Sequence, residues 1–199
     1  MKTKPIFLKG IFRDEKTAWF SLALYTILLY STLTLAYDLY IVAFQTFGQS
    51  AISQGIYIIT LLCVVTWFCY ALTRFPRKWT TYAMMGAIGL VIYGTMALED
   101  TPANRIHFFQ YFPLGILALE ALRFRIHGRA IYIWAFLLVS SIGLGDEYIQ
   151  GLLPNRYFDA KDVMLNSLAG LLALVFVGFV VREENYPWGK RRNGTKVRP

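Results

Sequence analysis

Between residues 146 and 162 the chain carries Asp146, Glu147, Asp159 and Asp162, with Arg156 among them. Upstream, His107 and Tyr111 stand four residues apart, and Asp146 with Gln150 and Asp162 with Asn166 repeat that spacing. On a helix, residues four apart share a face. Carboxylates beside a histidine could serve general acid–base chemistry. Oxygen ligands from Asp146, Glu147, Asp159 and Asp162 could hold a hard divalent ion. Arg156 could grip an anionic oxygen in a two-pronged fork. The plainest alternative is an ion-pair network that pins a loop, because buried charge survives only when paired. Arg156 and Lys161 supply counter-charge, so neither a metal nor a cofactor is expected. No H-E-x-x-H, P-loop or G-x-S-x-G run is present, and the chain carries no complete catalytic motif.

These residues sit at the ends of long apolar runs. Of 199 residues, 56% are hydrophobic and only 16% charged, where a soluble domain carries charge on roughly a quarter. The runs cover 18–37, 52–72, 80–98, 106–122, 130–150 and 163–181. About 20 apolar residues cross the hydrocarbon layer as a helix, and only a helix satisfies every backbone group there. A barrel would instead show short alternating strands. The expected fold class is all-α: a polytopic transmembrane helical bundle of about six spans. Pro154 should break the fifth helix, and Asp159 or Asp162 should cap the sixth. Gly86, Gly89 and Gly94 in the third span suggest close helix contact. Cys63 and Cys69, six apart in one run, read as small buried hydrophobes.

The organisation follows from these runs. Residues 1–17 form a basic segment whose Ile6, Phe7, Leu8, Ile11 and Phe12 alternate with cations, as in a helix lying in the interface. Residues 18–75 hold the first two helices, the first retained rather than cleaved as a signal peptide. The stretch 39–47 either continues the first helix or lies on the membrane surface. Residues 76–182 form a four-helix core, and 183–199 a basic tail.

Charge sets the orientation. Lys2, Lys4, Lys9, Arg13 and Lys16, then Arg74, Arg77 and Lys78, then Arg123, Arg125 and Arg129, and finally the tail fall on one side. The other side keeps only Arg105, Arg156 and Lys161 of the twenty basic residues. The positive-inside rule therefore puts both termini in the cytoplasm. The net charge of +8 then points to anionic membrane lipids, not to nucleic acid. On this topology Glu99, Asp100 and Arg105 join His107, Asp146, Glu147, Gln150, Arg156, Asp159, Asp162 and Asn166 at the outer ends of spans three to six. Glu120 falls at the cytoplasmic end, within helical reach of Arg123.

The run DEYIQGLLPNRYFDAKDVMLNSLAG, residues 146–170, resembles the signature of the VanZ-like family of bacterial membrane proteins. An acidic pair is followed by Gln, a Pro-x-Arg turn and a D-x-x-x-N-x-x-G helix start. The matching positions are Glu147, Gln150, Pro154, Arg156, Asp162, Asn166 and Gly170. HFFQY, residues 107–111, resembles the family's HF-x-x-Y helix start. The resemblance covers spans four to six. It implies a multi-pass protein of the bacterial cytoplasmic (inner) membrane and, through the founding member, a link to low-level teicoplanin resistance. It brings no chemical mechanism.

Two function classes follow. The polar cluster could recognise or modify a lipid-linked or cell-envelope precursor at the outer leaflet. Alternatively, the chain is a non-catalytic accessory subunit beside other membrane subunits. The topology is tested by a reporter fused at the C-terminus: it should report from the cytoplasm, and an external signal would reverse the orientation.

Overall fold

The computed structural model describes residues 11–74, 79–98, 106–154 and 156–181, and among these the chain is helical, with no strand. Most of the expected basic N-terminal segment, Arg77 and Lys78, Glu99, Asp100 and Arg105, Asn155 and the tail lie outside the described residues.

Asp14 opens α1 (Glu15–Ser31) by accepting the Thr17 backbone N–H at 2.8 Å. One of the helix's orphan donors is thereby satisfied. That bond, joined by the Thr17 hydroxyl, holds the Asp14 carboxyl below its usual range. The helix stops at Thr32, where the Ser31 and Thr32 hydroxyls donate back to the Leu28 and Leu29 carbonyls. These side chains serve carbonyls that lipid cannot.

α2 (Leu33–Arg74) restarts at once and runs straight through the stretch 39–47. It bends at Gly48, whose φ of 77° lies in the left-handed region that glycine enters without a steric cost. The apolar run 18–37 is thus divided at Thr32, which hydropathy does not register. α3 (Trp79–Leu98), α4 (Ile106–Leu122), α5 (Ala130–Leu152) and α6 (Ala160–Phe176) follow, and α6 continues into a π-helical turn, Val177–Val181. Among the described residues, three stretches are long and apolar enough to cross a membrane: Trp79–Ala97, Ala130–Leu152 and Ala160–Phe179. α4 is apolar but has only 17 residues, roughly 26 Å of helix at 1.5 Å per residue.

α4, α5 and α6 pack on one another as the core, α1 lies against α4 and α5, and α3 against α6. α4 buries Phe108, Tyr111, Leu114, Ala118 and Leu119, so it is the centre of the bundle. Pro113 interrupts its hydrogen-bond ladder. The nearby Gln110 carbonyl takes a bond from the Tyr25 hydroxyl of α1 at 2.9 Å. α2 leaves Leu35, Leu39, Val42, Phe47, Ile58 and Leu61 uncovered, a surface suited to an apolar solvent. Cys63 and Cys69 are exposed on it, not buried as the sequence suggested, because this part of α2 does not face the core.

The glycines that bring helices together are not those of α3. A Cβ at Gly86, Gly89 or Gly94 would meet nothing within 4 Å. At Gly115 it would stand 2.9 Å from both the Ala173 Cβ and the Gly170 carbonyl oxygen, and at Gly170 it would stand 2.5 Å from a Val139 methyl. Hydropathy cannot say which face of a helix meets a neighbour, and this is where the α3 reading failed.

At the end of the bundle where α1 starts, Glu120 takes Arg123 Nε at 2.9 Å, the expected pair, and also the Ile11 backbone N–H at 2.9 Å. Arg123 reaches the Phe12 carbonyl, and Arg125 pairs with Glu15. The chain entering α1 is thus tied to the end of α4.

Packing yields a paired prediction. Gly115→Ala should destabilise the bundle by about 1–3 kcal/mol through overpacking. Gly86→Ala should be neutral or stabilising by up to about 1 kcal/mol, the helix-propensity gain. Unfolding of both variants in detergent checks the contrast, and equal effects would contradict the helix contacts described.

Candidate functional site

Leu153 is extended ahead of Pro154, with φ −84° and ψ 144°, and α5 ends at Leu152. The ring of a following proline disfavours helical backbone. The chain turns, and Asp159 caps α6 by accepting the Lys161 backbone N–H at 2.8 Å. Of the two capping candidates, Asp159 takes the role. Asp162 therefore points elsewhere: its Oδ2 lies 3.9 Å from His107 Nε2 at the start of α4.

Behind this pair lies a buried layer. The Tyr111 hydroxyl donates to Asp146 Oδ2 at 2.8 Å. Gln150 Nε2 donates to Glu147 Oε1 at 2.8 Å, and the Asp159 backbone N–H reaches Glu147 Oε2 at 3.4 Å. The His107 and Tyr111 ring centroids are 6.3 Å apart. Asp146 and Glu147 are each 1% exposed and Asn166 is 0% exposed. Arg156 lies near enough for its charge to act on His107, Asp146 and Glu147. Lys161 is exposed and contributes only its backbone N–H, which weakens the counter-charge expected of it.

Some groups in this layer lack ordinary partners among the described residues. Asp146 Oδ1 and both amide atoms of Asn166 make no hydrogen bond. The Asn166 amide lies beside the His107 ring, close enough to act on it but outside bonding geometry. Unsatisfied buried polar groups cost about 1–3 kcal/mol each, so native structures rarely keep them without a reason.

The structure brings His107, Tyr111, Asp146, Glu147, Gln150, Arg156, Asp159, Asp162 and Asn166 to one end of the bundle. Asp146, Glu147, Gln150, Tyr111 and Asn166 form a buried floor, and His107, Arg156, Asp159 and Asp162 a half-buried rim. Tyr157 and Phe158, next to Arg156, are exposed. Gly143 makes this assembly possible, because a Cβ there would stand 2.9 Å from the Asn166 Cβ and 3.3 Å from the Tyr111 ring.

Sequence reasoning missed Tyr30. Its hydroxyl donates to the Ile142 carbonyl at 2.6 Å, and it sits close enough to Asp146 to feel its charge. A Cβ at Gly145 would meet that hydroxyl at 2.7 Å. Tyr30 is one of thirteen tyrosines and lies in an apolar run, so no sequence signal singles it out.

An all-helical membrane-type bundle with a polar cluster at one end is the class that fold and site define. A family model described as VanZ/LLP1 matches residues 20–181, so the chain belongs to this family. The match extends from the motif-bearing last three helices back into α1. Neither a curated protein nor a solved structure matches the chain.

The Tyr111–Asp146 bond has a measurable consequence. Tyr111→Phe removes the hydroxyl and leaves a buried carboxylate without that donor. The loss should be about 1–3 kcal/mol, a fall in melting temperature of roughly 2–10 °C for a chain of this size. Thermal unfolding in detergent checks it, and an unchanged transition would show that the bond carries no stability.

Proposed function

We propose that this VanZ/LLP1 family member recognises the anionic headgroup of a lipid-linked cell-envelope precursor. In this reading it spans the bacterial cytoplasmic membrane six times, with both termini inside and the polar cluster at the outer leaflet. The observation that carries the reading is the placement of Arg156. It is half-buried at the rim, above a floor of buried hydrogen-bonding groups and beside the exposed Tyr157 and Phe158. Aromatic residues of this kind settle at the headgroup level. A guanidinium there can form two parallel bonds to a phosphate, while Gln150, Asn166 and the carboxylates offer partners to hydroxyl and amide groups. Orientation is supported by the other end of the bundle, where Arg123, Arg125 and Arg129 gather at the α4–α5 connection, roughly 24 Å along the α4 axis from His107.

No step of chemistry is required by this arrangement, which is suited to holding a polar group in a fixed pose. The accessory-subunit alternative retains the open glycine face of α3, to which the described residues assign no partner.

The test uses the full chain in detergent micelles and a polyprenyl phosphate as probe. Arg156→Ala should weaken binding at least tenfold, about 1.4 kcal/mol, with helicity and elution unchanged. Arg156→Lys should restore only part of it, because an ammonium lacks the fork. Equal affinity of wild type and Arg156→Ala would sink the proposal.

A further inference from the structure

One ligand atom each from His107, Glu147 and Asp162 can be chosen so that all lie within 4.8 Å of one another. The three come from α4, α5 and α6, and the sequence did not group them as ligands. Its four-carboxylate set is dispersed by the fold: Asp146 turns to Tyr111 and Asp159 caps α6. His107 takes their place.

We propose that His107, Glu147 and Asp162 bind a single divalent transition-metal ion, with the Asn166 amide oxygen as a further ligand. Two independent features support the site. The first is geometric. An ion bonded tetrahedrally at about 2.0–2.2 Å to each atom holds its ligands roughly 3.5 Å apart, so spacings that already lie within 4.8 Å close through small side-chain rotations. The second is Asn166. It is 0% exposed and beside the His107 ring, and neither of its amide atoms makes a hydrogen bond. Its contact with the His107 ring falls short of hydrogen-bond geometry, which leaves the buried amide oxygen open to an ion held by that ring.

Charge runs the same way. Asp146, Glu147 and Asp162 gather where, among the described residues, Arg156 is the cation whose charge reaches the floor. Glu147 and Asp162 are close enough for their charges to interact. Like charges at short range in a poor dielectric are costly, and an ion between them removes that cost. An imidazole nitrogen with two carboxylates suits Zn²⁺ or Mn²⁺ better than Mg²⁺ or Ca²⁺, which favour all-oxygen shells. Gln150 and the Asp159 N–H, both bonded to Glu147, would then orient that carboxylate around the ion. The ion's role as an anchor for a phosphate oxygen rests on the headgroup reading. Its presence does not.

The experiment uses the full chain, purified in detergent without a histidine tag, stripped with chelator and titrated with Mn²⁺. One ion per chain should bind. Pulsed electron paramagnetic resonance of the bound Mn²⁺ should show a coordinated imidazole nitrogen. The sequence contains two histidines, so the assignment is simple. His127→Ala, in the α4–α5 connection, should keep the nitrogen signal, and His107→Ala should lose it. Asp162→Asn should weaken binding at least tenfold. A folded wild-type chain with no saturable Mn²⁺ would overturn the proposal. So would a bound ion without the nitrogen signal, or a signal lost in His127→Ala, and neither of these depends on His107→Ala folding. Polyprenyl phosphate is then titrated with and without the ion. Tighter binding with Mn²⁺ supports the anchoring role, and equal affinity overturns that role alone. No lipid binding beside a full nitrogen signal would instead sink the headgroup reading and leave the ion in place.

Discussion

Position 143 has no side chain, and the polar end of the bundle depends on that vacancy. Asn166 on α6 and Tyr111 on α4 both occupy the space a Cβ would need. With that space taken by a side chain, Asn166 on α6 would have to shift and the Tyr111 ring would have to give way by a few tenths of an ångström. Gly115 and Gly170 extend the same constraint along the helices, toward Ala173 and Val139. In lipid there is no hydrophobic force pressing helices together, so close approach at small residues has to supply the packing. The same contacts that hold the core therefore set the distances within the site.

Close packing creates an electrostatic problem at that end. Asp146 and Glu147 are buried beside Arg156, with Asp162 at the rim. Donors from three elements meet part of the need: the Tyr111 hydroxyl from α4, the Gln150 amide from α5 and the Asp159 N–H ahead of α6. Tyr30 closes the side of α5 through the Ile142 carbonyl. Among what remains unmet are His107 Nδ1, Asp146 Oδ1 and the Asn166 amide. The polar residues thus stabilise the bundle only in part.

The two ends of α4 divide the labour. At one end Glu120, Arg123 and Arg125 hold the segment leading into α1 through complete ion pairs and backbone bonds. Those contacts account for the groups involved and suggest anchoring. At the other end His107 meets Asp162 at 3.9 Å, a looser contact.

The four-residue spacings of His107 with Tyr111 and Asp162 with Asn166 were readable in the sequence because a helix imposes them locally. So were the all-helical class, the break at Pro154, the Glu120–Arg123 pair and the VanZ-like signature. These depend on neighbours along one helix, on the backbone geometry of proline or on the order of residues in the chain. The break at Thr32, the bend at Gly48 and the failure of the α3 glycines to make contacts were not readable, since hydropathy counts apolar length and is blind to direction. Nor could spacing show that Asp159 would cap α6 and leave Asp162 to face His107, or that Lys161 would point outward. The residues at risk of carrying charge in lipid were determined by the sequence alone. Which of them meet was decided by three helices closing on glycines, because only that approach brings groups from α4, α5 and α6 within bonding range.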